Sequence, residues 1–174
     1  MPDSLPDKPK LSETEVLLLR QVAGGHLHAA VSRATGIPEA KVGDAVTALT
    51  FKLGTSDRHH AAALGVGWGW VRTEDVPVLN PSGLPLPRRH REVLAALVGG
   101  EDPKATAKRL HLTTGTVKTY VQDILRTLGV RSRPQAAARA LLTGLVPLSA
   151  LGDGWPNTRL GRPSDRTARP AGTT

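Results

Sequence analysis

The sequence predicts an all-α chain of two tandem four-helix units joined by a Pro-rich linker, and three observations lead there. Aromatic residues make up only 3% of the 174 residues. Any core must therefore be assembled from Leu, Val, Ile and Ala, which suits small helical bundles better than sheets. In Thr113 to Gly129, residues Val117, Val121, Ile124, Leu125 and Leu128 are spaced i, i+4, i+7, i+8 and i+11, which is one apolar helix face. Finally, residues 11–71 lie over residues 86–146 at a constant offset of 75 with no gap. Leu19/Leu94, Gly24-Gly25/Gly99-Gly100, Val42/Val117, Val46/Val121, Leu53-Gly54/Leu128-Gly129 and Ala61–Ala63/Ala136–Ala138 coincide. These are core positions and glycine breaks, which two copies of one fold would retain.

Residues 1–10 are rich in Pro and charge and read as disordered. Copy 1 (11–71) opens with Ser12 and Glu15, spaced as a capping box. Pro38 starts its third helix and Asp57 caps its fourth. Gly65 and Gly67 are expected to shorten that last helix. Residues 72–85 are rich in turn formers and read as a linker. Fully extended, it would reach roughly 43 Å at ~3.1 Å per residue. Copy 2 (86–146) places its helices at roughly Arg88–Val98, Pro103–Leu110, Thr114–Leu128 and Arg133–Thr143. Asp102 and Ser132 serve as N-caps, Pro103 sits at a first helical position, and Gly129 and Gly144 follow helix ends. Residues 147–174 lack periodicity and read as a mostly disordered tail.

Lys and Arg number 23 against 15 Asp and Glu, a net charge of +8, which favours a polyanionic partner. Almost all of that charge lies in copy 2, where eleven Lys and Arg face four acids. Copy 1 carries five of each. Cysteine is absent, which rules out disulfides and thiolate metal sites and fits a reducing compartment. Apolar runs fall far short of the ~20 residues that span a bilayer. The N-terminus lacks the apolar region of a secretory signal. A cytoplasmic location with no membrane partner is the expectation.

The second and third helices of copy 2 are joined by His111-Leu112-Thr113, the layout of a helix-turn-helix. The outward face of the third helix carries Lys118, Thr119, Gln122 and Arg126, donors suited to phosphates and base edges. With REVLAAL, TVKTYVQDILRTLGV and RSRPQAAARAL, residues 86–146 resemble the DNA-binding domain of LuxR-type (GerE-type) bacterial transcription regulators. The resemblance implies sequence-specific binding of double-stranded DNA, with Lys118, Thr119 and Gln122 at base-contact positions. It places Lys104, Thr114, Thr116, Arg126, Arg131 and Arg133 at or near phosphate contacts. It also implies dimerisation through the fourth helix, around Ala137, Ala138 and Leu141. This sequence departs from the family pattern at Tyr120, usually His, at Pro87-Arg88, and at Asp102-Pro103-Lys104. A receiver or ligand-binding domain usually precedes such a module. Here a second copy stands in that place.

At the recognition positions copy 1 has Gly43, Asp44, Thr47 and Phe51. A helix weakened by glycine, with an acid aimed at phosphates, is a poor DNA reader. Copy 1 therefore reads as a degenerate module that serves as a partner surface. Ala61, Ala62 and Leu64 would pack on Ala136–Leu141 and make an intramolecular pseudo-dimer, with a homodimer as the alternative. The rival reading is an adaptor on a helix-turn-helix scaffold that binds another regulator or RNA polymerase. A sigma-factor type of helix-turn-helix shares the geometry but fits the motif strings less well. His26, His28, His59, His60, His90 and His111 lack metal-ligand spacing and read as surface histidines, so no metal and no cofactor is expected. Gly65-Val66-Gly67-Trp68-Gly69-Trp70 follows a helix and so does not read as a phosphate loop. It reads as a frayed helix end whose tryptophans cover a core or meet a partner. No arrangement of catalytic side chains stands out, and no enzyme is expected.

Overall fold

A computed structural model describes residues 5–79 and 81–160. Among these residues there are eight α-helices and no strand: α1 (Glu13–Ala23), α2 (His28–Thr35), α3 (Glu39–Lys52), α4 (Arg58–Gly67), α5 (Arg88–Val98), α6 (Pro103–Leu110), α7 (Thr114–Leu128) and α8 (Arg133–Leu142). The bounds of α1, α2 and α4 fall 75 residues before those of α5, α6 and α8, and α3 starts 75 residues before α7.

Local chemistry sets the ends. Ser12 and Glu15 exchange reciprocal bonds at the start of α1, at 3.1 and 3.0 Å. The Asp102 carboxylate accepts from the Lys104 amide at 2.7 Å, and Thr113 and Ser132 cap α7 and α8 through their hydroxyls. Gly129 ends α7 at φ 68°, a left-handed conformation that disfavours a side chain. Pro38 stands at the N-cap of α3 and not within it, and Asp57 precedes α4 without a side-chain cap bond.

One continuous apolar core runs through both four-helix units. Leu18, Leu19, Val42 and Val46 fill the first, and Val93, Leu94, Val121 and Ile124 the second. The main seam between them is α4 against α8. Ala61, Ala62 and Ala63 on one side and Ala136, Ala137, Ala138, Ala140 and Leu141 on the other are all sealed from solvent, and Leu64 is buried beside them. Small side chains let the two backbones approach closely, so dispersion is gained along the whole helix pair.

Four local expectations change. Gly65 and Gly67 do not shorten α4, which runs ten residues, the same length as α8. They mark close approach instead. A Cβ on Gly65 would stand 2.8 Å from Leu19 and Val71, and one on Gly67 would stand 2.7 Å from Leu151 and Trp155. Residues 72–79 and 81–85 are not a free tether. Thr73–Asp75 form a 3-10 turn, Val76 is buried, the Leu79 amide donates to Gly129 O at 2.8 Å, and Gln135 Nε2 donates to Pro77 O. Residues 147–160 are likewise packed. Leu148–Leu151 form a second 3-10 turn and Trp155 is buried. Trp68 lies edge-on to Trp155 at 5.3 Å and donates to Pro6 O at 3.0 Å, while Lys8 sits over Trp70 at 4.6 Å. Residues 5–10 and 147–160 thus make specific contacts where composition reads disorder. Residues 1–4 and 161–174 lie outside the described residues. Finally, three histidines are not surface groups. His60 is held between Thr55 Oγ1 and Leu151 O at 2.9 and 3.0 Å, His90 is mostly covered, and burial lowers the pKa of His59 from its ordinary 6.5.

Candidate nucleic-acid interface

The turn between α6 and α7 is built on His111, whose φ of 56° makes it the lone non-glycine residue with positive φ among those described. The matching position in the first unit is Gly36, at φ 76°. Left-handed backbone at a side chain costs about 1–2 kcal/mol, which the tertiary fold must outweigh. The Leu112 amide then returns to Ala107 O at 2.8 Å. Thr113 Oγ1 accepts from the Thr116 amide at 3.1 Å and lies 2.9 Å from the Thr116 hydroxyl. These bonds fix where α7 begins and how it is rotated.

With Val117, Val121 and Ile124 buried, the opposite face of α7 must point outward. Lys118, Thr119, Gln122 and Arg126 are all exposed. Among the described residues the Lys118 and Gln122 side chains make no internal hydrogen bond, so their donors are free. Thr119 Oγ1 donates to Gly115 O at 3.1 Å, which holds its rotamer. Arg126 meets Asp123 only at 3.8 Å, and Asp123 also faces His90 at 3.4 Å. The His90 ring stacks on Tyr120 with centroids 4.3 Å apart, so Tyr120 braces α7 against α5 and stays half-buried.

Around this ridge, Lys104 and Arg131 are exposed, whereas Thr114, Thr116 and Arg133 are half-buried. Lys108 is exposed one turn beyond Lys104, a residue the motif comparison passed over. The i, i+4 spacing of Lys104 and Lys108 was the available signal. Arg109 is committed elsewhere. Its guanidinium bonds Glu101 at 2.8 Å, and that bond raises its pKa further above the usual value. The surface is thus a cationic, donor-rich helix face on a rigid turn. Among the described residues no three His, Asp or Glu side chains converge to hold a metal ion, and no helix is long and apolar enough to cross a membrane.

The matching face of α3 differs throughout. Asp44 and Thr47 are exposed, Gly43 bears no side chain, and Phe51 stands 86% exposed where α7 has Arg126.

Comparison with known proteins identifies the second unit. Residues 84–140 match the family model of bacterial regulatory proteins of the luxR family. The spore germination protein GerE of Bacillus subtilis is 33% identical over 63 residues, which is 36% of this chain and 85% of that protein. The chain belongs to the luxR family. Two further relatives are similar over the same order of length. The putative HTH-type transcriptional regulator YhjB of Escherichia coli K12 is 34% identical over 83 residues, covering 45% of this chain and 40% of YhjB. The transcriptional regulatory protein LnrK of Bacillus subtilis is 37% identical over 81 residues, covering 44% of this chain and 37% of LnrK. The chain therefore spans well under half the length of these two relatives. No solved structure matches the chain. The family match contains α5, α6, α7 and most of α8, and α1–α4 lie outside it.

Proposed function

We propose that this luxR-family chain is a sequence-specific regulator of transcription that binds double-stranded DNA, with α7 in the major groove. One observation carries the reading: the Lys118, Thr119, Gln122 and Arg126 side chains form an exposed ridge that, among the described residues, nothing covers. Lys118, Thr119 and Gln122 read base edges, and Lys104, Thr114, Thr116, Arg126, Arg131 and Arg133 hold phosphates. Action in the bacterial cytoplasm, at the nucleoid, goes with that role.

The matching helix bounds and the neutral, altered α3 support a tandem duplication in which α1–α4 no longer reads DNA. The α4–α8 seam then stands in for the fourth-helix contact of a dimer, an intramolecular pseudo-dimer. Since α8 is covered, the chain engages one half-site as a monomer, and its operator lacks two-fold symmetry. The test is selection of duplexes from random pools by the full chain. Enrichment of one short, non-palindromic element supports the reading, and no enrichment contradicts it. Loading Ala62 at the seam with a bulky residue should disturb both inter-unit contact and DNA affinity.

The exposed Phe51 favours a second role for α1–α4, in which this face binds RNA polymerase or another regulator as an adaptor. A Phe51→Ser variant that keeps DNA affinity but loses transcriptional output would support it.

A further inference from the structure

A cleft of about 730 Å³ opens between α2, α3 and the start of α4, and the α7–α8 loop closes its far side. Its apolar wall comes from Val22, Val31, Val42 and Val46. Arg58, from α4, and Arg131, from the α7–α8 loop, also line it, as do His26 and His28. Among the described residues neither arginine makes an ion pair. Glu39 is the one acid lining it.

The corresponding place in the second unit shows what has changed. The same corner, 75 residues on, is lined by Leu97, Glu101, Thr106, Val117, Val121 and Arg133 among others and encloses about 10 Å³, barely room for one water. There Leu97 replaces Val22, and Glu101 is drawn across to Arg109. There too the Asp102 carboxylate caps α6, whereas its counterpart Leu27 leaves the first amides of α2 without a side-chain cap. At this corner the first unit therefore has less side-chain volume, no bridging ion pair and no capping anion, and it has an open cleft in which Arg58, the counterpart of Arg133, is joined by Arg131. The volume lies within the range of small-molecule sites, which runs from about 300 to 1,000 Å³.

We propose that this cleft binds a small anionic amphiphile, an organic acid with an apolar body. The body fills the valine-lined floor. The anionic head lies between the two guanidinium groups, near the uncapped end of α2, where the helix dipole also favours negative charge. Arg131 belongs to both this site and the proposed phosphate contacts, so occupancy withdraws it from DNA. That coupling rests on the DNA reading above, and the binding site itself does not.

The test uses the full chain without DNA first. Octanoate is titrated against bound anilinonaphthalene sulfonate, with octanol as the neutral match and thermal melting as a second readout. Saturable displacement by octanoate is expected, with octanol roughly tenfold or more weaker, because a charge-assisted contact is lost. Arg58→Ala, at an exposed position, should weaken octanoate roughly tenfold and leave octanol unchanged. Ala29→Trp, also exposed at the cleft, should block both. Equal binding of octanoate and octanol, indifference to Arg58→Ala, or no displacement at millimolar concentration would each overturn the site. A duplex-binding arm follows. Octanoate should weaken DNA binding of the wild type but not of Arg58→Ala. Octanoate binding with unchanged DNA affinity would overturn the shared use of Arg131 alone.

Discussion

Two helix-interior glycines invite the same substitution with opposite outcomes. Gly43 lies on the outward side of α3, where a new Cβ would meet only His28 Cε1, at 3.9 Å. Gly43→Ala removes the entropic cost of glycine without a clash and should stabilise the fold by about 0.5–1 kcal/mol. Gly65 lies inside α4, where a Cβ would stand 2.8 Å from both Leu19 Cδ2 and Val71 Cγ2 and 3.1 Å from Leu19 Cγ. Those neighbours are buried and have nowhere to retreat. The helix-propensity gain of about 1 kcal/mol is then set against about 1–3 kcal/mol of overpacking. Gly65→Ala should be destabilising by up to about 2 kcal/mol. Urea unfolding of the two variants beside the wild type measures the contrast. With a slope of about 2 kcal/mol per molar, the midpoints should separate by roughly 0.3–1.5 M, one above and one below the parent. If both midpoints move in the same direction, the account of why glycine occurs in α4 is refuted.

Gln135→Leu should cost about 2–4 kcal/mol, since it leaves the Arg131 amide and Pro77 carbonyl without their partner. Amide exchange would show the loss first around Val76. Stability should fall as pH drops below the ordinary histidine value of 6.5. Burial lowers the pKa of folded His59, with Arg133 adding to the effect and Asp57 opposing it, so the unfolded chain takes up the proton first. The stabilisation is whole above 6.5 and fades as pH falls towards the folded pKa. Urea midpoints at pH 7.5 and 5.5 should differ less in His59→Leu than in the wild type. Arg126→Ala should weaken binding to all duplexes alike and lower the salt slope by about 0.9, as anisotropy titrations at several salt concentrations would show.

The eight helices were legible because each follows from short-range chemistry: apolar residues at helical spacing, caps at Ser12, Asp102 and Ser132, and glycine after Leu128. The outward ridge of α7 was legible for the same reason, since burying Val117 and Val121 leaves Lys118 and Gln122 outside. What escaped depends on long-range contact. Gly65 reads locally as a helix breaker, and only the positions of Leu19 and Val71 reveal it as a packing glycine. Residues 147–160 carry no periodicity, yet Trp155 finds a place beside Trp68 and Gly67 that no local pattern announces. The strap at 72–79 holds through Gln135, fifty-eight residues from Pro77. The cleft of the first unit was invisible because it arises from what is missing at Val22 and Leu27 relative to the second unit, a difference of volume and charge in space.

The central claim is that the outward face of α7 reads a duplex, and the affinity of Lys118→Ala tests it most directly. Anisotropy titrations would compare this variant with the wild type on an enriched duplex and on a scrambled one. The account predicts a loss of roughly 1–3 kcal/mol on the enriched duplex, much less on the scrambled one, and an unchanged urea midpoint. Equal affinity of wild type and variant on the enriched duplex would contradict it.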